Sequence, residues 1–124
     1  MLSFDAVNYA MKYAKAHETD KLYQENNTEM GLLNQVQEEM GECIASIGKY
    51  KRTIGEGPIT PVTKEEAINN VIEELTDSLA MIAHVAEKMG WCDQIIKIHL
   101  EKSEQCAKRI LDKKKQEEES GEAV

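Results

Sequence analysis

Apolar residues recur at intervals of three and four along most of this chain, and no stretch alternates convincingly enough to predict a strand. The pattern predicts four helices. Ser3 is a candidate N-cap for a first helix over 4–17, with Phe4, Val7, Ala10, Met11 and Ala14 on one face. The polar run His17-Glu18-Thr19-Asp20 is expected to end it. Asn26-Asn27-Thr28 offers caps for a second helix, beginning at Thr28 and reaching about Arg52. Residues 53–61 hold both prolines and two glycines and read as a loop. Thr63-Lys64-Glu65-Glu66 has the form of a capping box, opening a third helix that reaches Met89 and stops at Gly90. Asp93 is expected to cap a fourth helix to about Asp112. Residues 1–112 then form a single all-α domain, and 113–124, rich in Lys and Glu, a flexible charged tail.

Helical spacing also sorts the acidic residues. Four pairs, Glu39/Glu42, Glu74/Asp77, Glu101/Glu104 and Glu119/Glu122, lie three apart, so spacing alone selects none of them. Position around the helix does. At roughly 100° per residue, with Glu39 at zero, Leu32, Cys43, Val36, Ile47, Met40, Leu33 and Ile44 fall from about +20° to +140°. Glu42 lies at about −60°. With Glu74 at zero, Ala67, Val85, Val71, Ile82, Leu75, Ile68, Leu79 and Ile72 span about +20° to +160°, and Asp77 again lies at about −60°. Both helices therefore carry their carboxylates beside the apolar arc, and packing the arcs together can gather all four in one half-buried cleft. Carboxylates so placed repel one another unless a positive charge intervenes. The geometry leaves two readings open: a metal cleft, or boundary carboxylates that turn to water or pair with Lys.

The donor types narrow the metal. A di-iron bundle uses Glu-x-x-His elements, whereas His17, His84 and His99 follow Ala14, Met81 and Ile96 at that spacing. Clustered His and Cys for zinc are lacking. An all-oxygen set favours Mg²⁺, with Mn²⁺ as the alternative.

Length and charge bound the rest. A chain of 124 residues suffices for one buried core. A formal charge of −8 argues against stable nucleic-acid binding, which needs a basic surface. Cys43, Cys92 and Cys106 form no CxxC pair and fit reduced thiols. No run approaches the roughly 20 apolar residues of a membrane span, so no membrane association and a cytoplasmic location are expected.

The string Gln35-Val36-Gln37-Glu38-Glu39-Met40-Gly41-Glu42, followed by Glu74-Leu75-Thr76-Asp77-Ser78-Leu79, resembles the EExxE…ExxD signature of the MazG-like all-α nucleotide pyrophosphohydrolases. The resemblance covers about 28–110. It implies a four-helix bundle assembling as a homodimer or homotetramer, with Mg²⁺ held by Glu39, Glu42, Glu74 and Asp77. It also implies cleavage of a nucleoside triphosphate between its α and β phosphates, giving a monophosphate and pyrophosphate. Two features depart from the family pattern. The acidic halves are separated by 31 residues, long for the family, and Cys106 stands four after Lys102 where the family often has Asn.

Further residues have candidate roles. Glu38, at about −100° from Glu39 and away from the core, could accept a proton from an attacking water or be simply solvated. Lys102 and Arg109 share one helix face and could bind phosphates or form a solvated basic edge. Gln35 and Met81, at about −40° and −20° beside the carboxylates, are candidates for the nucleotide pocket. His84 is expected as a partly exposed helix residue, and Trp91 as a packing anchor beside Gly90. Two other functions stay open: a phosphoribosyl-ATP pyrophosphatase with the same metal chemistry, and a non-catalytic helical interaction or regulatory module.

Overall fold

Caps written into the sequence bound the two long central helices. Thr28 accepts a hydrogen bond on its hydroxyl from the Gly31 N–H at 3.0 Å, opening a helix over Glu29–Thr53. At Thr63 the capping box forms in both directions, with Glu66 N–H donating to the Thr63 hydroxyl at 3.1 Å, and the helix runs over Lys64–Met89. Gly90 ends it at φ 71°, a left-handed conformation that a residue without Cβ adopts at little cost.

This computed structural model describes Val7 and residues 18–121. The helix expected over 4–17 lies outside them except at Val7, which is helical. In chain order the helices are α1 (Glu18–Glu25), α2 (Glu29–Thr53), α3 (Lys64–Met89) and α4 (Cys92–Glu119). The architecture is all-α, with no strand among the described residues. None of these helices is long and apolar enough to cross a membrane.

Three boundaries differ from expectation. Glu18-Thr19-Asp20, read as a helix end, lie inside α1. Eight mostly polar residues make a marginal helix by themselves, so α1 depends on its surroundings. Asn26 and Asn27 donate their side-chain amides to the Leu22 and Tyr23 carbonyls, both at 2.7 Å, the second satisfying an acceptor that the helix end leaves orphaned. Gln24 is buried, and Lys88 Nζ of α3 donates to its carbonyl at 3.0 Å. At the other end of the chain, α4 begins at Cys92 rather than at Asp93, which sits in the first turn, and Trp91 makes no side-chain cap. It continues to Glu119 instead of stopping near Asp112, since Lys, Gln and Glu propagate a helix without burial.

The main packing unit is the α2–α3 pair, which turns back on itself through residues 54–63. Its seam is displaced from the middle of the apolar arcs towards the carboxylates. Apart from Ala83, His84 and Ala86 of α3, which are buried against other elements, the buried positions are Leu32, Cys43 and Ser46 on α2, and Ala67, Ser78 and Val85 along α3. On the angular scale used above they cluster between about −20° and +40°. Met40, Ile44 and Ile47 of α2, and Ile68, Ile72, Leu75 and Leu79 of α3, expected in the core, are instead exposed. Small side chains explain the displacement: Ser46, Cys43, Ala67 and Ser78 permit a close approach that bulkier residues prevent. Ser78 Oγ crosses the seam to donate to the Glu39 carbonyl at 3.2 Å. A second cluster, Ala83, Ala86 and Cys92 with Val7, Ile82, Ile95 and Ile96, fastens the start of α4 to the end of α3.

Candidate metal centre

Because Glu39 and Glu74 flank the Ser78 crossing, the close seam brings their side chains together. One carboxylate oxygen from each of Glu39, Glu74 and Asp77 can be chosen so that all three lie within 4.8 Å of one another. An Mg²⁺ ion takes its ligands at about 2.1 Å, so two of its ligand oxygens are at most about 4.2 Å apart. Glu39 and Glu74 are half-buried and Asp77 is exposed, giving the cluster one wet side.

Electrostatics mark the same place. Burial raises the pKa of Glu39, and the charges of Glu42, Asp77, Glu74 and Glu38 raise it further. Burial also raises that of Glu74, followed by the charges of Glu42 and Asp77, a side-chain hydrogen bond with Glu42, and the charge of Glu73. Two carboxyl groups share a hydrogen bond only with a proton between them. The cluster therefore favours proton uptake when no cation is present. Glu39 Oε2 and Glu74 Oε2 are buried without a hydrogen-bond partner. Orphaned carboxylate oxygens facing further carboxylates fit a hard divalent cation, which prefers oxygen ligands.

The remaining sequence-derived residues are distributed unevenly. Glu42 is exposed and lies outside the close triad, but its charge acts on both Glu39 and Glu74. Glu38 is exposed one residue before Glu39. Gln35 and Met81 are half-buried on the cleft helices. Lys102 and Arg109 are exposed on α4, beyond the Cys92–Ile96 stretch that packs on α3, and the charges acting on Glu39 and Glu74 are all carboxylates. The structure does not bring these two cations to the cluster. Trp91, expected as a packing anchor, is 43 % exposed, and the buried residue at that junction is Cys92.

His84 departs most from expectation. It is buried, its ring lies 4.8 Å from that of Tyr23 at 35°, and its Nδ1 is 3.3 Å from Gln24 Nε2. Tyr23 in turn donates its hydroxyl to Gln35 Oε1. Burial, then the charge of Glu39, raises the Tyr23 pKa, so its hydroxyl lies near the cleft and keeps its proton. Tyr23 and Gln24 escaped the sequence reading because α1 has no apolar stripe to mark a buried side. Ser46 and Ser78 escaped it because they are polar, although they lie at about −20° and +40°, within the contact arc.

No family model, curated protein or solved structure matches the chain.

Proposed function

We propose that the chain is a Mg²⁺-dependent nucleotide pyrophosphohydrolase of the MazG-like kind, cleaving nucleoside triphosphates between the α and β phosphates. The observation that carries this reading is the convergence of Glu39, Glu74 and Asp77 with two buried, unpartnered carboxylate oxygens. Glu39, Glu74 and Asp77 would hold the ion directly, with Glu42 adding negative charge beside them. Bound there, Mg²⁺ (or Mn²⁺) supplies countercharge for the triphosphate and acidifies the attacking water. The half-buried walls of α2 and α3 shield one side of the cleft, while exposed Asp77 leaves an approach for an anionic substrate. Exposed Glu38 is the candidate proton acceptor, one residue from Glu39 and outside the triad. Gln35 and Met81 are the nearest candidates for substrate contacts. Lys102 and Arg109 would reach phosphate only from another copy or after rearrangement of α4.

The same reading includes a homodimer or homotetramer completing a four-helix bundle. Its support is the uncovered apolar arc, where Ile44 is 72 %, Ile72 57 % and Leu75 51 % exposed in the single chain. Incubation with a panel of NTPs and dNTPs plus Mg²⁺, followed by pyrophosphate detection, tests the activity. Intact substrates throughout would remove it, as would pyrophosphate release undiminished in Glu39→Gln and Asp77→Asn. Phosphoribosyl-ATP belongs in the panel, because the same metal chemistry serves that substrate.

A further inference from the structure

A helix as polar as α1 does not dock on its own propensity, and Tyr23 and Gln24 hold it to α3. Tyr23 lies against His84 of α3. The neighbouring Gln24 is buried, its side chain meets His84 Nδ1 at 3.3 Å, and its carbonyl takes Lys88 Nζ at 3.0 Å. Held in this way, the ring directs its hydroxyl across to α2, where it donates to Gln35 Oε1. Gln35 stands one helical turn before Glu39 and on the same side of α2, at about −40°. Among the described residues its side chain makes no other hydrogen bond.

We propose that Tyr23 is a positioning residue for Gln35, fixing its amide so that both N–H donors face the substrate drawn to the carboxylate cleft. The inference rests on the nucleotide-binding reading above. A glutamine amide left alone offers its oxygen or its nitrogen with nearly equal ease. A hydroxyl that donates to the oxygen removes that choice and leaves the nitrogen to face a ligand. Burial, and after it the charge of Glu39, keeps the phenol protonated and hence a donor. A half-buried NH₂ with both protons unmatched calls for an acceptor. The matching substrate group is an oxygen, borne either by the polyphosphate or by the nucleoside half. A donor at this position also offsets part of the negative field that the acidic cleft presents to any phosphate.

The test is nucleotide binding by calorimetry on the full chain with Mn²⁺. The probes are the α,β-methylene analogues of UTP, CTP, ATP and GTP, which resist α–β cleavage, and inorganic tripolyphosphate. The proteins are wild type, Tyr23→Phe, Gln35→Leu and the double variant, with far-UV circular dichroism on each. Gln35→Leu is expected to weaken nucleotide binding about tenfold and Tyr23→Phe about threefold. The double variant is expected to bind no more weakly than Gln35→Leu, because Tyr23 acts through the amide. Loss on tripolyphosphate as well places the acceptor on phosphate, and loss on the nucleotides alone places it on the nucleoside half. Mn²⁺ binding without nucleotide is expected to stay within about twofold. Equal effects of Tyr23→Phe in both backgrounds, or loss of Mn²⁺ binding, would make Tyr23 merely structural and overturn the proposal. Gln35→Glu keeps the acceptor for Tyr23 and removes the donors, so it supplies the result if Tyr23→Phe fails to fold; unweakened binding there overturns the proposal too. A wild type that binds Mn²⁺ but none of the probes refutes the nucleotide reading and this inference with it. Wild-type binding unaffected by any variant refutes this inference alone.

Discussion

Replacing Glu74 with Gln is expected to stabilise the metal-free protein while removing most of the stabilisation that metal confers. Glu74 is half-buried at the α2–α3 seam, has one buried oxygen without a partner, and meets the charges of Glu42, Asp77 and Glu73. Glutamine has nearly the same volume, carries no charge, and offers N–H donors to the neighbouring carboxylates. A single site filled at a hundred times its Kd stabilises the native state by about 2.7 kcal/mol. For a chain of this size, at about 4 °C per kcal/mol, Mg²⁺ at that level is expected to raise the wild-type Tm by about 10 °C. If the substitution weakens the site a hundredfold, the same Mg²⁺ concentration gives only about 0.4 kcal/mol, or about 2 °C.

The pH dependence gives the sign independently. The pKa values of Glu39 and Glu74 lie above their ordinary 4.5 in the folded chain, so folding takes up protons there. Their contribution to metal-free stability is fully present below that ordinary value and is lost as pH rises through the raised ones. Metal binding requires the deprotonated carboxylates, so the Mg²⁺ increment grows over the same window. Thermal melts from pH 4 upwards, in EDTA and in Mg²⁺, read both effects. A metal-free Glu74→Gln protein that melts below wild type at neutral pH, or that keeps the full Mg²⁺ shift, would refute the reasoning.

Other consequences are simpler to state. Thr63→Ala removes the capping box and is expected to cost about 1 kcal/mol, about 4 °C in Tm, with the Mg²⁺ shift intact; calorimetry in both buffers checks it. Ser78→Ala loses one cross-seam hydrogen bond, for about 1 kcal/mol. Ser78→Leu forces the seam apart at a cost of about 1–3 kcal/mol and is expected to reduce Mn²⁺ affinity as well, both read by melts and titration. Ile72→Glu alters an exposed position and is expected to leave the folded chain intact but monomeric by light scattering, where the wild type is expected to be a dimer or tetramer; a wild type already monomeric removes the argument.

The parts of the fold legible in the sequence were those whose local chemistry is self-contained. Thr28, Thr63 with Glu66, and Gly90 each satisfy or terminate a helix end using residues within a few positions, so α2 and α3 emerged nearly to the residue. In contrast, α1 is fixed by partners distant in sequence, Tyr23 to His84 and Gln24 to Lys88, and a polar octapeptide gives no local sign of them. The start of α4 misled because Asp93 is a good cap by type, yet the chain leaves Gly90 already turned to begin a helix at Cys92. At the site, angular position alone placed Glu39, Glu74 and Asp77 together. The same angles could not say that Glu42 faces more to solvent, or that Lys102 and Arg109 are exposed on α4 beyond the stretch that packs on the end of α3.

The displaced seam ties the site to the surface. The small side chains of Cys43, Ser46, Ala67 and Ser78 let α2 and α3 approach until Ser78 reaches the Glu39 carbonyl. That approach brings Glu39 and Glu74 side by side, and the same rotation carries Met40, Ile44, Ile72 and Leu75 out of the contact. Convergent carboxylates and an uncovered apolar arc are therefore one geometric fact, not two. A larger residue at Ser78 would separate the helices and loosen the cluster. Turning the arcs inward would bury the isoleucines and draw the acids apart. The arrangement thus demands both countercharge and cover, and the proposed ion and the proposed second copy meet those demands separately. Ile72→Glu should consequently affect assembly before it affects Mn²⁺ binding, whereas Glu74→Gln should do the reverse.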